Sequence, residues 1–329
     1  MKLYKTYKVN NIVKLIIFST LLILLFIFSK QNFSSAKNTI NIFLFSVMPS
    51  LFPFILFTEI ILKTDIIDIL SKSAGKIIGK VFNTSKNSSS SIIIGFLCGY
   101  PMGAKSVITS LEDKKINYND ASFLLNFINN CNPIFIISTI SISIFGNIKV
   151  GIILLISHIL SAILIGIVST RKHYSNIIQK NSEFLKLFNK KNLSLEETSF
   201  FDIIKTSILN SFITLEMILG FMLIFNILSN IFTTITLKLN FNYNLVQILT
   251  GLFEVTGGCF NIGNLNIDIK LKLCIISFML GFSGLCIIFQ IYSVIYKHKF
   301  SLNKIIFFKL IHRNIFFYYY IYFINDYKC

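Results

Sequence analysis

Tryptophan is absent from this 329-residue chain, proline occurs only 4 times, and charged residues supply just 14% of it. A soluble globular domain is about one-quarter charged, so the shortage excludes a single water-soluble domain. Acid is scarcest: 14 Asp+Glu face 31 Lys+Arg, for a formal charge of +17. On a soluble face that surplus would point to nucleic acid. A hydrophobic share of 54% and a mean hydropathy of +0.72 set it against a membrane instead, and no nucleic-acid partner is expected. The six cysteines (Cys98, Cys131, Cys259, Cys274, Cys286 and Cys329) lie mostly in apolar runs. They make no C-x-x-C pair and have no histidine at ligand spacing, so neither a zinc site nor a disulfide framework is indicated. Neither a P-loop nor a Ser/His/Asp motif occurs, and no polar segment is long enough for a catalytic domain. An enzyme is therefore not expected, nor a cofactor or metal.

What the chain does have is long apolar runs. A hydrocarbon core takes about 20 apolar residues per helix, and seven runs qualify: 11–29, 38–62, 120–146, 148–170, 206–232, 273–296 and 302–324. Two more, 91–110 and 245–263, are cut by glycine clusters and read as re-entrant hairpins. With the N-terminus cytoplasmic, alternation of the spans puts 21 basic residues in inside segments and 7 in outside ones, leaving Lys105, Lys309 and Arg313 at or near membrane depth. Cytoplasmic loops carry such an excess. The polar stretch 171–205, with alternating Phe, Leu and Lys, reads as an amphipathic helix on the cytoplasmic surface. The first run, followed by Ser34-Ser35-Ala36, also has the form of a signal peptide.

The two halves repeat. Gly95-Phe-Leu-Cys-Gly-Tyr-Pro-Met-Gly-Ala104 aligns with Gly251-Leu-Phe-Glu-Val-Thr-Gly-Gly-Cys-Phe260, and Phe127-Ile-Asn-Asn-Cys-Asn-Pro-Ile-Phe135 with Phe278-Met-Leu-Gly-Phe-Ser-Gly-Leu-Cys286. Upstream, the proline-interrupted stretch Met48 to Pro53 has its counterpart around Glu216 to Phe221. Each half thus reads as a helix, a glycine-broken hairpin and a helix broken in its middle. The charge count brings the hairpins in from opposite sides. The expected fold is an all-α polytopic membrane protein of about seven spanning helices plus two re-entrant hairpins in an inverted-topology repeat. Its parts are an N-terminal anchor (1–37), a first repeat with the following span (38–170), the linker (171–205), a second, inverted repeat (206–296) and a C-terminal helix and tail (297–329). Inverted repeats with matched broken helices are a common transporter architecture, with substrate near the midplane. Unwound backbone survives at that depth only where protein or a cavity satisfies it.

Four strings carry a resemblance over about Met48 to Tyr296: Gly95 to Lys105, Asn129-Asn-Cys-Asn-Pro133, Leu252-Phe-Glu-Val-Thr-Gly257 and Leu280-Gly-Phe-Ser-Gly284. The chain resembles the sporulation integral membrane proteins of the YlbJ (SpoVV) type. These sit in the wider group that shares the nucleoside-recognition or Gate domain with nucleoside and ferrous-iron transporters. The lack of a GTP-binding domain sets it apart from the iron transporters. The resemblance implies a multi-pass protein of the outer forespore membrane that moves dipicolinic acid during spore maturation and cortex formation. The alternatives are transport of a nucleoside or other small metabolite, and a non-transporting membrane scaffold in sporulation. The stretch Phe307 to Cys329, rich in Tyr and Phe, departs from the family's final helix.

Dipicolinate is a flat aromatic dicarboxylate, so the implied partner is a small anion, with the bilayer around it and a coupling ion unspecified. Lys105, six residues past a glycine break, either pairs with a substrate carboxylate or snorkels to the surface. Half-helix N-termini favour anions. That makes Gly99, Tyr100, Pro101 and Gly103 candidates on one hairpin, and Thr256, Gly257 and Gly258 on the other. Asn129, Asn130, Asn132 and Pro133 mark the first helix break, Ser283 and Gly284 the second; their polar side chains bind substrate or satisfy freed backbone groups. Tyr100 offers an aromatic face or simple packing. Glu254 pairs with Lys105, binds a proton or sodium ion that drives transport, or sits protonated or at the outer mouth in water. Glu59 and Glu216 lie near membrane depth outside the matched breaks, and His158 reads as an interhelical hydrogen-bonding residue.

Overall fold

The computed structural model describes residues 11–170 and 199–325, and among these every regular element is helical. The expected linker helix therefore lies, for residues 171–198, outside the described residues. Four helical stretches are long and apolar enough to cross a membrane: Ser29–Leu62, Ile148–Ser169, Phe200–Lys238 and Ile269–His298. The other three runs fall short of that for separate reasons. Helix α1 (Asn11–Ile27) has 17 residues and buries none of them. Run 120–146 is unwound in the middle, and the last run carries Lys304, Lys309 and Arg313.

Helix α2 (Ser29–Ile42) continues through a π-helical turn, Phe43–Val47, into α3 (Met48–Leu62). The turn has a local cause. Pro49 and Pro53 have no N–H for the carbonyls four residues back, and just ahead of them Met48 N–H reaches Phe43, five residues away. Residues 30–37, expected as an outside loop, are helical because α2 turns polar groups onto another helix. Ser35 Oγ donates to Asn226 O (3.4 Å), and Asn230 Nδ2 to Asn32 Oδ1 (3.1 Å). Ser34-Ser35-Ala36 thus stands within a helix.

After α4 (Ile66–Phe82) come the arms of the first hairpin, α5 (Ser88–Leu97) and α6 (Met102–Glu112). Helix α7 (Tyr118–Leu124) gives way to an unwound segment, 125–132. The chain recoils as π-helix over Phe135–Ile142 and the single turn α8 (Ser143–Phe145), followed by α9 (Ile148–Thr170). The second half opens with the 39-residue α10 (Phe200–Lys238), which runs without interruption past Glu216 to Phe221, so the proline break of the first half has no counterpart there. The second hairpin is α11 (Tyr243–Thr250) and α12 (Val255–Gly263); then come α13 (Ile269–Phe282), α14 (Gly284–Ile295) and α15 (Leu302–Asn325). The hairpin arms have 8 to 11 residues. At about 1.5 Å per residue each reaches roughly half of a 30 Å hydrocarbon core.

One continuous core joins the halves: α10 packs along α2 and α3, and α15 packs against α13 and α9 with Phe316 and Tyr320 buried. Large apolar side chains such as Phe18, Phe45, Ile77 and Phe201 face outward. Polar contacts collect the segments assigned to the inside at one end. Lys63 Nζ donates to Thr206 Oγ1 (2.9 Å), Lys115 pairs with Asp68 (3.1 Å), His298 with Glu112 (3.1 Å), and Lys304 Nζ reaches Ser122 Oγ (3.4 Å). Lys238, at the other end of α10, lies over the Phe28 ring.

Candidate functional site

Each hairpin tip is stitched to the break of its own half. In the first, Tyr100 N–H donates to Asn130 O (2.9 Å). Gly99 has φ +72°, and a Cβ there would come 2.7 Å from Asn132 N and 2.8 Å from Asn130 O, so only glycine fits. Asn132 serves both sides of this seam. Its Oδ1 accepts from Ile134 N–H (2.8 Å) and Phe135 N–H (3.3 Å), capping the helix that Pro133 begins. Its Nδ2 donates to Cys98 O (3.3 Å). Asn129 and Asn130 donate to Leu125 O and Phe127 O, while their Oδ1 atoms are buried without a hydrogen-bond partner. Pro101 follows a cis peptide bond and precedes α6.

The second seam uses backbone alone: Leu285 N–H donates to Leu252 O (2.8 Å) and Cys286 N–H to Phe253 O (2.9 Å). This break is a two-residue kink, Ser283 (φ +73°) and Gly284 (φ +69°). Asn132 and Ser283, aligned in the sequence, both stand immediately before the resumed helix. The hairpins align less well. The second turn is Gly251 to Glu254, three residues earlier than the sequence match to Cys98 to Pro101 implies. Glycines draw the arms together in both cases, Gly103 against Gly95 and Gly258 against Gly251. That packing accounts for Gly103 and Gly258.

The N–H groups expected to be free at the second hairpin are occupied. Glu254 is 2% exposed and caps α12, its Oε1 accepting from Thr256 N–H (2.8 Å) and its Oε2 from Gly257 N–H (2.6 Å). Asn226 Nδ2 of α10 adds a third bond to Oε2 (3.3 Å). A pairing of Glu254 with Lys105 is therefore overturned. Lys105, 32% exposed, pairs with Glu59 of α3, itself buried, and Asn210 Nδ2 of α10 holds the second Glu59 oxygen at 3.1 Å. The nearest charge to Lys105 is thus the chain's own carboxylate, on a helix outside both hairpins. The alignment could not reveal this, since Glu59 belongs to neither matched break. Beyond the end of α3, Lys63 titrates below an ordinary lysine: desolvation lowers it, Glu59 raises it and Lys105 lowers it.

Between the tips lies a small, buried cavity with about 30 Å³ open to water-sized atoms, room for roughly two waters. Tyr100, Asn132, Glu254 and Thr256 line it beside Cys131 and Gln290. Sequence reasoning passed over the residue behind both seams. Lys309 of α15 is 3% exposed and donates from Nζ to Asn129 O at the first break and to Ser283 Oγ (2.9 Å) at the second. No carboxylate lies within ion-pair distance of it among the described residues. Next to it, His158 Nε2 accepts from Cys131 N–H (3.0 Å), and its ring stacks on His312 with centroids 4.6 Å apart. The signal for Lys309 was its place at membrane depth, obscured because no motif accompanies it.

Two hairpins seamed to two broken helices, inside a shell of long apolar helices, define a polytopic helical integral membrane protein with a polar centre. The chain is similar to the sporulation integral membrane protein YlbJ of Bacillus subtilis (strain 168), with 23% identity over 291 residues covering 81% of this chain and 71% of that protein. No family model matches the chain, and no solved structure does.

Proposed function

We propose that the protein is a transporter of small carboxylate anions, and that in a spore-forming cell its cargo is dipicolinate, carried across the outer forespore membrane for spore maturation. The observation that carries the reading is Lys309. A buried lysine without a carboxylate partner among the described residues is costly in a membrane and marks a functional position. Here it joins both helix breaks, and an anion arriving from outside the chain supplies the missing charge. The two hairpins are taken as re-entrant elements of an inverted, Gate-like repeat with the N-terminus cytoplasmic. Such repeats rock about a central site, and the hairpin arms are half a membrane long. A dicarboxylate needs more room than the cavity offers, since small-molecule sites run to roughly 300–1,000 Å³. In this reading the cavity widens during the cycle to admit the cargo. Similarity to a sporulation membrane protein supports the setting.

Uptake of labelled dipicolinate into proteoliposomes tests this directly. Wild type should accumulate it above protein-free vesicles, and Lys309→Met should not. Absence of uptake by correctly folded wild type overturns the proposal. Competition by nucleosides instead of by pyridine carboxylates would reassign the cargo, and normal dipicolinate content in spores of a deletion strain would favour a scaffold.

A further inference from the structure

A second and much larger hollow adjoins the small central cavity. This groove, with about 680 Å³ of free volume, runs between α2, α10 and the second hairpin. Its lining is almost wholly hydroxyl and amide, including Gln31, Ser35, Asn38, Asn230 and Gln247. Lys30 contributes a positive charge, and no carboxylate among the described residues lines it. So large a polar surface on an otherwise apolar helix bundle is not explained by packing. Helix α2 sacrifices apolar contact to build it.

The two hollows meet at one carboxylate. Asn226 and Gly257 line the groove, and Glu254 and Thr256 line the central cavity. Glu254 Oε2 takes the hydrogen bonds of both groove-side groups, Asn226 Nδ2 at 3.3 Å and Gly257 N–H at 2.6 Å. We propose that the groove is an outer binding site for a small carboxylate-bearing solute, and that Glu254 with Asn226 forms the closed septum between this site and the central cavity. The class of ligand follows from the lining: many neutral donors, one ammonium and no competing acid suit an anion. The transport reading gives the site its purpose, but the septum is a matter of geometry alone. Capping α12 does not by itself require Asn226, because the two N–H bonds already cap it.

Cys131 lines the central cavity, whereas the fully buried Cys259 does not. The pair therefore separates opening of the septum from loosening of the fold. The full chain in nanodiscs is treated with an anionic (sulfonatoethyl) or a cationic (trimethylammonioethyl) methanethiosulfonate, each rate normalised to a free thiol, and labelling is read by peptide mass spectrometry. Asn226→Ala should raise labelling at Cys131 at least tenfold and leave Cys259 unchanged. Glu254→Ser, which keeps a good capping residue too short to reach Asn226, should do the same. The anionic reagent should gain more than the cationic one, and Lys30→Ala should shrink that bias. In Ser229→Cys, labelling from within the groove should slow severalfold in millimolar dipicolinate or benzoate. Unchanged labelling at Cys131 in both septum variants overturns the septum, as does an equal rise at Cys259. A cationic preference, or no protection by either carboxylate, overturns the anion site. Absence of dipicolinate uptake alongside the expected labelling sinks the transport reading alone, and uptake with Cys131 unlabelled in the variants sinks the septum alone.

Discussion

The two halves meet the same physical demand by different means. Each breaks a helix in the core, freeing backbone groups that lipid cannot satisfy. The first half unwinds eight residues, 125–132, and repairs the damage with asparagine side chains. The second kinks at Ser283 and Gly284 and repairs itself through backbone bonds to its hairpin. The buried acids divide in the same way. Glu59 is balanced by a lysine, Glu254 by backbone N–H groups, and α10 adds an asparagine to each. The first break is thus wide and lined with amides, and the second is tight and closed on backbone.

Variants that strike one half or the seam between them sharpen this contrast. The largest effect is expected at the seam. Lys309→Met removes the side-chain bonds to both helix breaks, so dipicolinate uptake should fall at least tenfold. Uptake within twofold of wild type would detach Lys309 from the cycle. Next comes Gly99→Ala. Its left-handed backbone alone costs about 1–2 kcal/mol, with overlap on Asn130 and Asn132 added, and thermal melting in detergent should show a clear loss of stability. Third, Lys105→Met strands the buried Glu59; loss of one member of a fully buried pair costs about 3–5 kcal/mol, and the partial exposure of Lys105 reduces that. Adding Glu59→Gln should restore much of the melting temperature, and failure to do so would deny that the pair is structural. Gly284→Ala should be mildest. It bears the left-handed cost of about 1–2 kcal/mol, but the nearest atom to the new methyl is Val255 N at 3.3 Å. If it melts lower than Gly99→Ala, the second break is the tighter one after all.

Helices and breaks were legible because glycine and proline clusters interrupt apolar runs whose length the bilayer dictates. The correspondence of Asn132 with Ser283 was legible as well, since both precede the residue that restarts a helix. What escaped was pairing across the fold. Glu59 and Lys105 lie 46 residues apart, and Asn226 and Glu254 meet only because α10 crosses the second hairpin. Residues 30–37 of α2 fall between the expected spans because their hydrophilicity suits water, whereas their partner is the asparagine stripe of α10. Lys309 stood out by depth alone, and depth in a sequence is inferred without knowing what faces the side chain.

Helix α10 has a mechanical aspect. It grips the first half through Asn210, at Glu59, and the second through Asn226, at Glu254. These grips are 16 residues apart, which in a regular helix is about 24 Å along the axis and roughly 160° around it. The same rod thus holds one acid on each flank, like an axle with two opposed cranks. It has no proline and a single glycine, Gly220, between the grips and touching nothing that a methyl would meet. A rigid roll of this axle would turn both acids together, and Gly220 is the single glycine between them.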